Sequence, residues 1–236
     1  MKTLVNLKER LEALPARRIG RGHAARYAQF LAVASPAKER LLLAHGAIAI
    51  AAPVLPSPNY QVARKSVSSA ANIAKRLADK LDADPAFVSE KSAEDSFVRL
   101  TENAADAAKK AQEGWQSALQ SQIEKWELIA DVIPGLGSGT QGLKSQAARL
   151  KSAVDSLRMA KAALPQSQKA GAAVKASLEQ LADSVSKLGL DTPFGKFLQA
   201  AASEQGATLS DAQDKSVAQQ IESLKLSSVF RVYLSS

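Results

Sequence analysis

Seven positions spaced seven apart, Leu143, Leu150, Leu157, Leu164, Gly171, Leu178 and Val185, form one column along the second half of the chain. A second column beside it runs Ala147 and Val154, then resumes as Val174, Leu181 and Leu188. Side chains of a strand change face at every residue, so apolar steps of three and four cannot lie on one face of a sheet. Such steps mark a long helix packed along another helix.

The partner is expected just upstream. Residues 92–133 carry Phe97, Leu100, Ala104, Ala108, Ala111, Trp115, Leu119, Gln122, Trp126, Ile129 and Ile133 at helical spacing. Pro134, Gly135, Gly137 and Gly139 then interrupt the pattern. Two long apolar stripes joined by a Gly/Pro turn predict a coiled-coil-like antiparallel helical hairpin over residues 91–189. With the turn centred near Gly137, Trp115 faces Met159 and Ala160, and Trp126 faces Ala147 and Ala148. Pro165 falls inside the returning helix, where it removes a backbone donor. Either two helices meet there or one helix bends.

The rest of the chain reads as helical with one exception. Residues 3–14 read as a short helix ended by Pro15. Residues 24–33 are compatible with a helix, and Ser35-Pro36 looks like an N-cap with proline at the first helical position of a new one. That helix enters the apolar run 41–55, which is too short for the ~20 residues that span a bilayer. Pro53, Pro56 and Pro58 mark a boundary. Residues 61–81 are amphipathic, with Ala63, Val67, Ala70, Ala74, Leu77 and Leu81 on one face and a polar, basic face opposite. After Gly189, a C-cap, Thr192-Pro193 opens a helix to Ala202, and Ser210 caps another over 211–226. Residues 228–234 are rich in β-branched and aromatic types and predict a single strand. The fold class is therefore mainly α: a basic helical region (1–60), an amphipathic helix and turn (61–90), the hairpin (91–189) and a helix–strand module (190–236).

Charge is unevenly divided. Residues 1–65 hold eleven Lys and Arg against three Glu, an excess equal to the whole chain's +8. Arg17, Arg18, Arg21 and Arg26, followed by Tyr27 and Phe30, are the candidate grip for nucleic acid or an anionic partner, since arginine neutralises phosphate and an aromatic ring can stack on a base. Val229, Phe230, Val232, Tyr233 and Leu234 are the candidate partner-binding strand, because a lone strand must find an edge to satisfy its backbone.

Catalysis has little to stand on. There are two histidines, His23 and His45, and no cysteine. Neither histidine has a second ligand at metal spacing, and no Ser-His-acid set can be assembled. His45, within the apolar run, is expected to be partly buried. The Gly135–Gly139 stretch follows a helix and is not followed by lysine, so it matches no phosphate loop. No catalytic, metal or cofactor site is expected. The N-terminus lacks the apolar core of a secretory signal, and the lack of cysteine suits a reducing compartment, so a cytoplasmic location is expected. The expected function is a non-catalytic interaction or scaffold protein that binds a partner protein, as hetero-complex or homodimer. The alternatives are a sequence-independent nucleic-acid grip, and peripheral membrane contact through the basic region and the 41–55 helix.

Overall fold

The computed structural model describes residues 9, 12, 21–133, 141–202 and 207–226. Among the described residues the chain is almost wholly helical and holds no strand. Residues 229–234 lie outside them, as do Arg17, Arg18, the side chain of Arg21, most of the expected 3–14 helix and the whole Gly135–Gly139 turn. The chain divides into two compact units. The first takes Met1–Gln116 with Leu164–Gln168, the second Ser117–Ala163 with Lys169–Ser236.

In the first unit, α1 (Arg21–Val54) and α2 (Asn59–Ala83) pack on each other and on a 3-10 turn, Pro85–Ser89. The following α3 (Lys91–Ile123) adds its N-terminal part. The core is a cluster of Tyr27, Phe30, Leu41, Leu77, Phe97, Leu100 and many alanines. Phe30 and Phe97 stack with ring centroids 4.1 Å apart. Every apolar position expected on the inner face of α2 is buried. Asp84 then accepts from the Ala86 amide, with Pro85 at the first position of the 3-10 turn.

Alanine lets these helices approach closely, and Gly114 shows how far that goes. A Cβ built there would stand 3.0 Å from both Asn59 Cβ and Ser57 Oγ, and 3.1 Å from a Tyr60 ring carbon. The start of α2 thus rests on bare backbone of α3, beside the fully buried Trp115.

One expectation fails in α1. Ser35-Pro36 does not open a new helix; α1 runs through Pro36 without a break. The proline sits on the exposed side, while Ala34 and Ala37 flank it in the core. Packing from Tyr27 to Ala44 on the same core outweighs the one lost backbone bond.

In the second unit, α4 (Glu127–Val132) packs on α5 (Gln141–Ala160) and α7 (Pro193–Ala202), and α7 packs on α9 (Lys215–Ser223). Gln180 of α6 (Gln168–Lys187) donates to the Arg149 carbonyl of α5 at 2.8 Å. Both heptad columns are almost entirely buried, Leu178 being half-exposed. Yet they belong to two helices. α5 ends at Ala160, α6 begins at Gln168, and Pro165 lies buried in the connector, so the alternative of two helices holds. The Leu164 amide donates to the Gln112 side chain at 3.2 Å, within the first unit.

The expected helix over 92–133 is also divided, by a turn at residues 124–126. In an unbroken helix Ile123 and Ile129, six residues apart, point about 120° away from each other. The turn lets both be buried, leaving Gln122 exposed and Trp126 half-buried. The expected register is displaced as well. Lys151 meets Asp131 at 2.8 Å and Arg158 meets Glu127 at 3.3 Å, two to three turns away from pairing about Gly137. Met159, the expected neighbour of Trp115, is 72% exposed. The middle of a glycine stretch fixes no register by itself.

Helix ends follow local chemistry. Gly189 has φ +64°, its amide bonds to the Ser186 carbonyl and that of Leu190 to Val185, the paired bonds of a Schellman stop. The same pair recurs at Lys225 and Leu226, with a lysine at φ 57°. Thr208, rather than Ser210, caps the next helix, α8 (Leu209–Gln213), in a reciprocal box with Asp211, and Asp214 caps α9.

Candidate functional site

The basic stretch at the start of α1 can be followed from Arg26 onward. Arg26 Nη2 meets Glu94 Oε2 of α3 at 2.9 Å, Nη1 donates to Gln29 at 3.1 Å, and the guanidinium lies 5.3 Å over the Phe30 ring. This arginine ties α1 to α3. Tyr27 is 2% exposed, and its hydroxyl donates to the Pro85 carbonyl at 2.6 Å. Burial, and then the Asp84 carboxylate, push its pKa up. A ring enclosed this way cannot stack on a base, and Phe30 is enclosed with it. His23 Nδ1 stands 2.8 Å from Ser89 Oγ. Residues 23–30 therefore fasten α1 to the 3-10 turn and α3.

Other polar groups are used in similar ways. Ser66 of α2 donates to Asp106 of α3 at 2.5 Å. In the second unit Lys151 and Arg158 share Asp131, Asp155 and Glu127. The Lys151 hydrogen bond lowers the pKa of Asp131, and the reciprocal bond raises that of Lys151. These groups are about half-exposed, where pairing is screened and worth little.

A cleft of about 230 Å³ is lined by Pro193, Lys196, Phe197, Ala200, Asp211, Asp214 and Val217. Its carboxylates are occupied: Asp211 takes up Thr208, Asp214 takes up the amides of Ser216 and Val217, and hydrogen bonds hold both pKa values down. Ionised at neutral pH, these two capping carboxylates hold no proton to donate, and the hydrogen bonds they accept make them weak bases. Among the described residues no group of His, Asp and Glu is placed to hold a metal. His45 is exposed rather than partly buried.

The outer face of α1 is different. The core takes Leu41, Ala44, Ala47, Ile48, Ala51 and Leu55 from the apolar run. The residues between them turn outward: Leu43 is 58% exposed and Leu42 36%, with Ala49 and Gly46 exposed and Ile50 half-exposed. A Cβ at Gly46 would meet nothing within 4 Å. The result is a notch between Leu43 and Ile50, on a helix without a charged residue from Leu41 to its end at Val54. The signal was present in the sequence. A helix buried on one side needs three or four apolar residues in seven, and this run supplies apolar residues on every side. No described helix is long and apolar enough to cross a membrane. Compared with known families, curated proteins and solved structures, the chain matches none.

Proposed function

We infer that the chain is a non-catalytic interaction protein, a subunit or accessory factor of a larger intracellular assembly. A partner protein packs along the outer face of α1. The observation that carries this reading is the apolar row of exposed Leu42, Leu43 and Ala49 and half-exposed Ile50 around the open Gly46. Exposed apolar rows cost solvation and commonly mark protein contacts. Residues at steps of three, four and seven are how one helix receives another. Their burial on binding contributes about 25 cal/mol per Å² removed from water.

Two finer elements belong to the same reading. The α4–α5 crossing, with Leu128, Val132 and Met159 exposed, is taken as the tip of a helical hairpin available to the assembly. The stretch 228–234 is taken as a strand that adds to a sheet edge of the partner.

The test is affinity purification from cells that make the protein, comparing wild type with Leu43→Glu and with a chain ending at Ser227. A charge on the row should remove a stoichiometric partner that wild type retains, and loss of the tail should weaken its retention. Recovery of the same partner at the same stoichiometry with Leu43→Glu would contradict the reading.

A further inference from the structure

The sequence contains no acidic residue between Glu39 and Asp79, and α2 occupies the second half of that interval. Its outer face carries two basic pairs, Arg64 with Lys65 and Lys75 with Arg76, all four exposed. Among the described residues none of the four makes an ion pair or hydrogen bond. Elsewhere many cations are matched, Arg26 by Glu94, Lys151 by Asp131 and Lys187 by Asp183. Asp79 and Asp82 close the C-terminal end of the face, and Asp106 of α3 is bonded to Ser66 at its edge.

The two pairs lie 11 positions apart, three turns of helix, or about 16.5 Å. Between them stand Ser68, Ser69 and Asn72, exposed short side chains able to donate hydrogen bonds. We propose that this face of α2 grips the phosphate backbone of double-stranded nucleic acid without reading its bases.

Three observations select this occupant. Cations flanking short hydroxyl and amide donors are the side-chain types that bind phosphate oxygens. The separation of the pairs suits phosphates on the two walls of a major groove about 12 Å wide. Finally, every aromatic ring described in the first unit is buried: Tyr27, Phe30, Tyr60, Phe87, Phe97 and Trp115. That removes the stacking platform on which single strands are held. A membrane surface is disfavoured too, because insertion needs large apolar residues along the contact face, and the centre of this one has none. Val62 lies at its flank.

The test measures fluorescence anisotropy of a labelled 24-base-pair DNA duplex of mixed sequence with the full-length protein over a salt series. The variant replaces Arg64, Lys65, Lys75 and Arg76 by Gln, with thermal unfolding followed by circular dichroism. Four neutralised phosphates contribute about −3.6 to the slope of log K against log salt, or roughly a 150-fold loss of affinity between 50 and 200 mM. The variant should lose that part of the slope and, at 50 mM salt, at least ~100-fold in affinity. Arg64→Lys with Arg76→Lys should keep the slope. Should the fourfold variant unfold, the single Arg64→Glu and Arg76→Glu variants take its place, each expected to weaken binding about tenfold. Absence of duplex binding at 20 mM salt would overturn the proposal. So would duplex affinity unchanged by the α2 replacements, and so would single-stranded DNA, phosphatidylserine vesicles or polyglutamate binding as tightly as the duplex.

Discussion

Two buried tyrosines show how single hydroxyl groups divide in their effect. Tyr27 donates to the Pro85 carbonyl, so Tyr27→Phe leaves a carbonyl without its donor and should cost about 1–2 kcal/mol in urea unfolding. Tyr60 is equally enclosed, but its hydroxyl finds no hydrogen-bond partner among the described residues. Tyr60→Phe should therefore be neutral or stabilising, by up to ~1 kcal/mol. Burial also raises the Tyr60 pKa to about 12. An unfolded tyrosine ionises near pH 10, whereas this one holds its proton further, so the unfolded state binds fewer protons between those values. Stability is then full below pH 10 and falls by about 2–3 kcal/mol as pH rises from 10 to 12. Unfolding at pH 8, 10 and 11.5 should show that decline in wild type and less of it in Tyr60→Phe. A third residue, Lys225, occupies a left-handed conformation that suits glycine. Lys225→Gly should raise stability by about 0.5–1 kcal/mol.

At the scale of elements, helix type and inner faces were legible while breaks and register were not. The α2 stripe and both heptad columns could be read because burial imposes the 3.6-residue period directly on the sequence. Pro36 misled because a proline signals a helix start locally, whereas here Tyr27, Phe30, Ala34, Ala37 and Leu41 hold one helix across it. If that account is right, the proline costs α1 a backbone bond at an exposed position, and Pro36→Ala should stabilise by about 1–3 kcal/mol. A loss of stability would mean that the ring itself packs. The division at residues 124–126 was hidden for another reason. Trp126 and Ile129 extend the upstream stripe well enough, and only Ile123 argues against continuity. The ion pairs that fix α4 against α5 are long-range in sequence and leave no local signal.

For the molecule as a whole, composition excluded more than it identified. Scarce histidine and absent cysteine left no catalytic set that could be read from the sequence. The proposed interaction surfaces were only partly legible. Arg26 and Tyr27 drew attention as a basic-aromatic cluster, yet one spans α1 and α3 and the other fills the core. Exposure depends on which helices meet, which no spacing in α1 alone specifies. The surplus of apolar residues in 41–55 and the acid-free stretch from Arg40 to Ala78 were both visible, but their outward direction needed the fold. The central claim is that the Gly46 notch on α1 receives another protein. The most direct measurement places a photo-cross-linking side chain at position 46, and at exposed Glu102 as control, in the full-length protein in cells. The account predicts one discrete cross-linked product from position 46 and none from 102, with Leu43→Glu abolishing it. A product of twice the chain's mass identifies a second copy as the partner, and any other mass a different protein. Equal, diffuse labelling from both positions would contradict it.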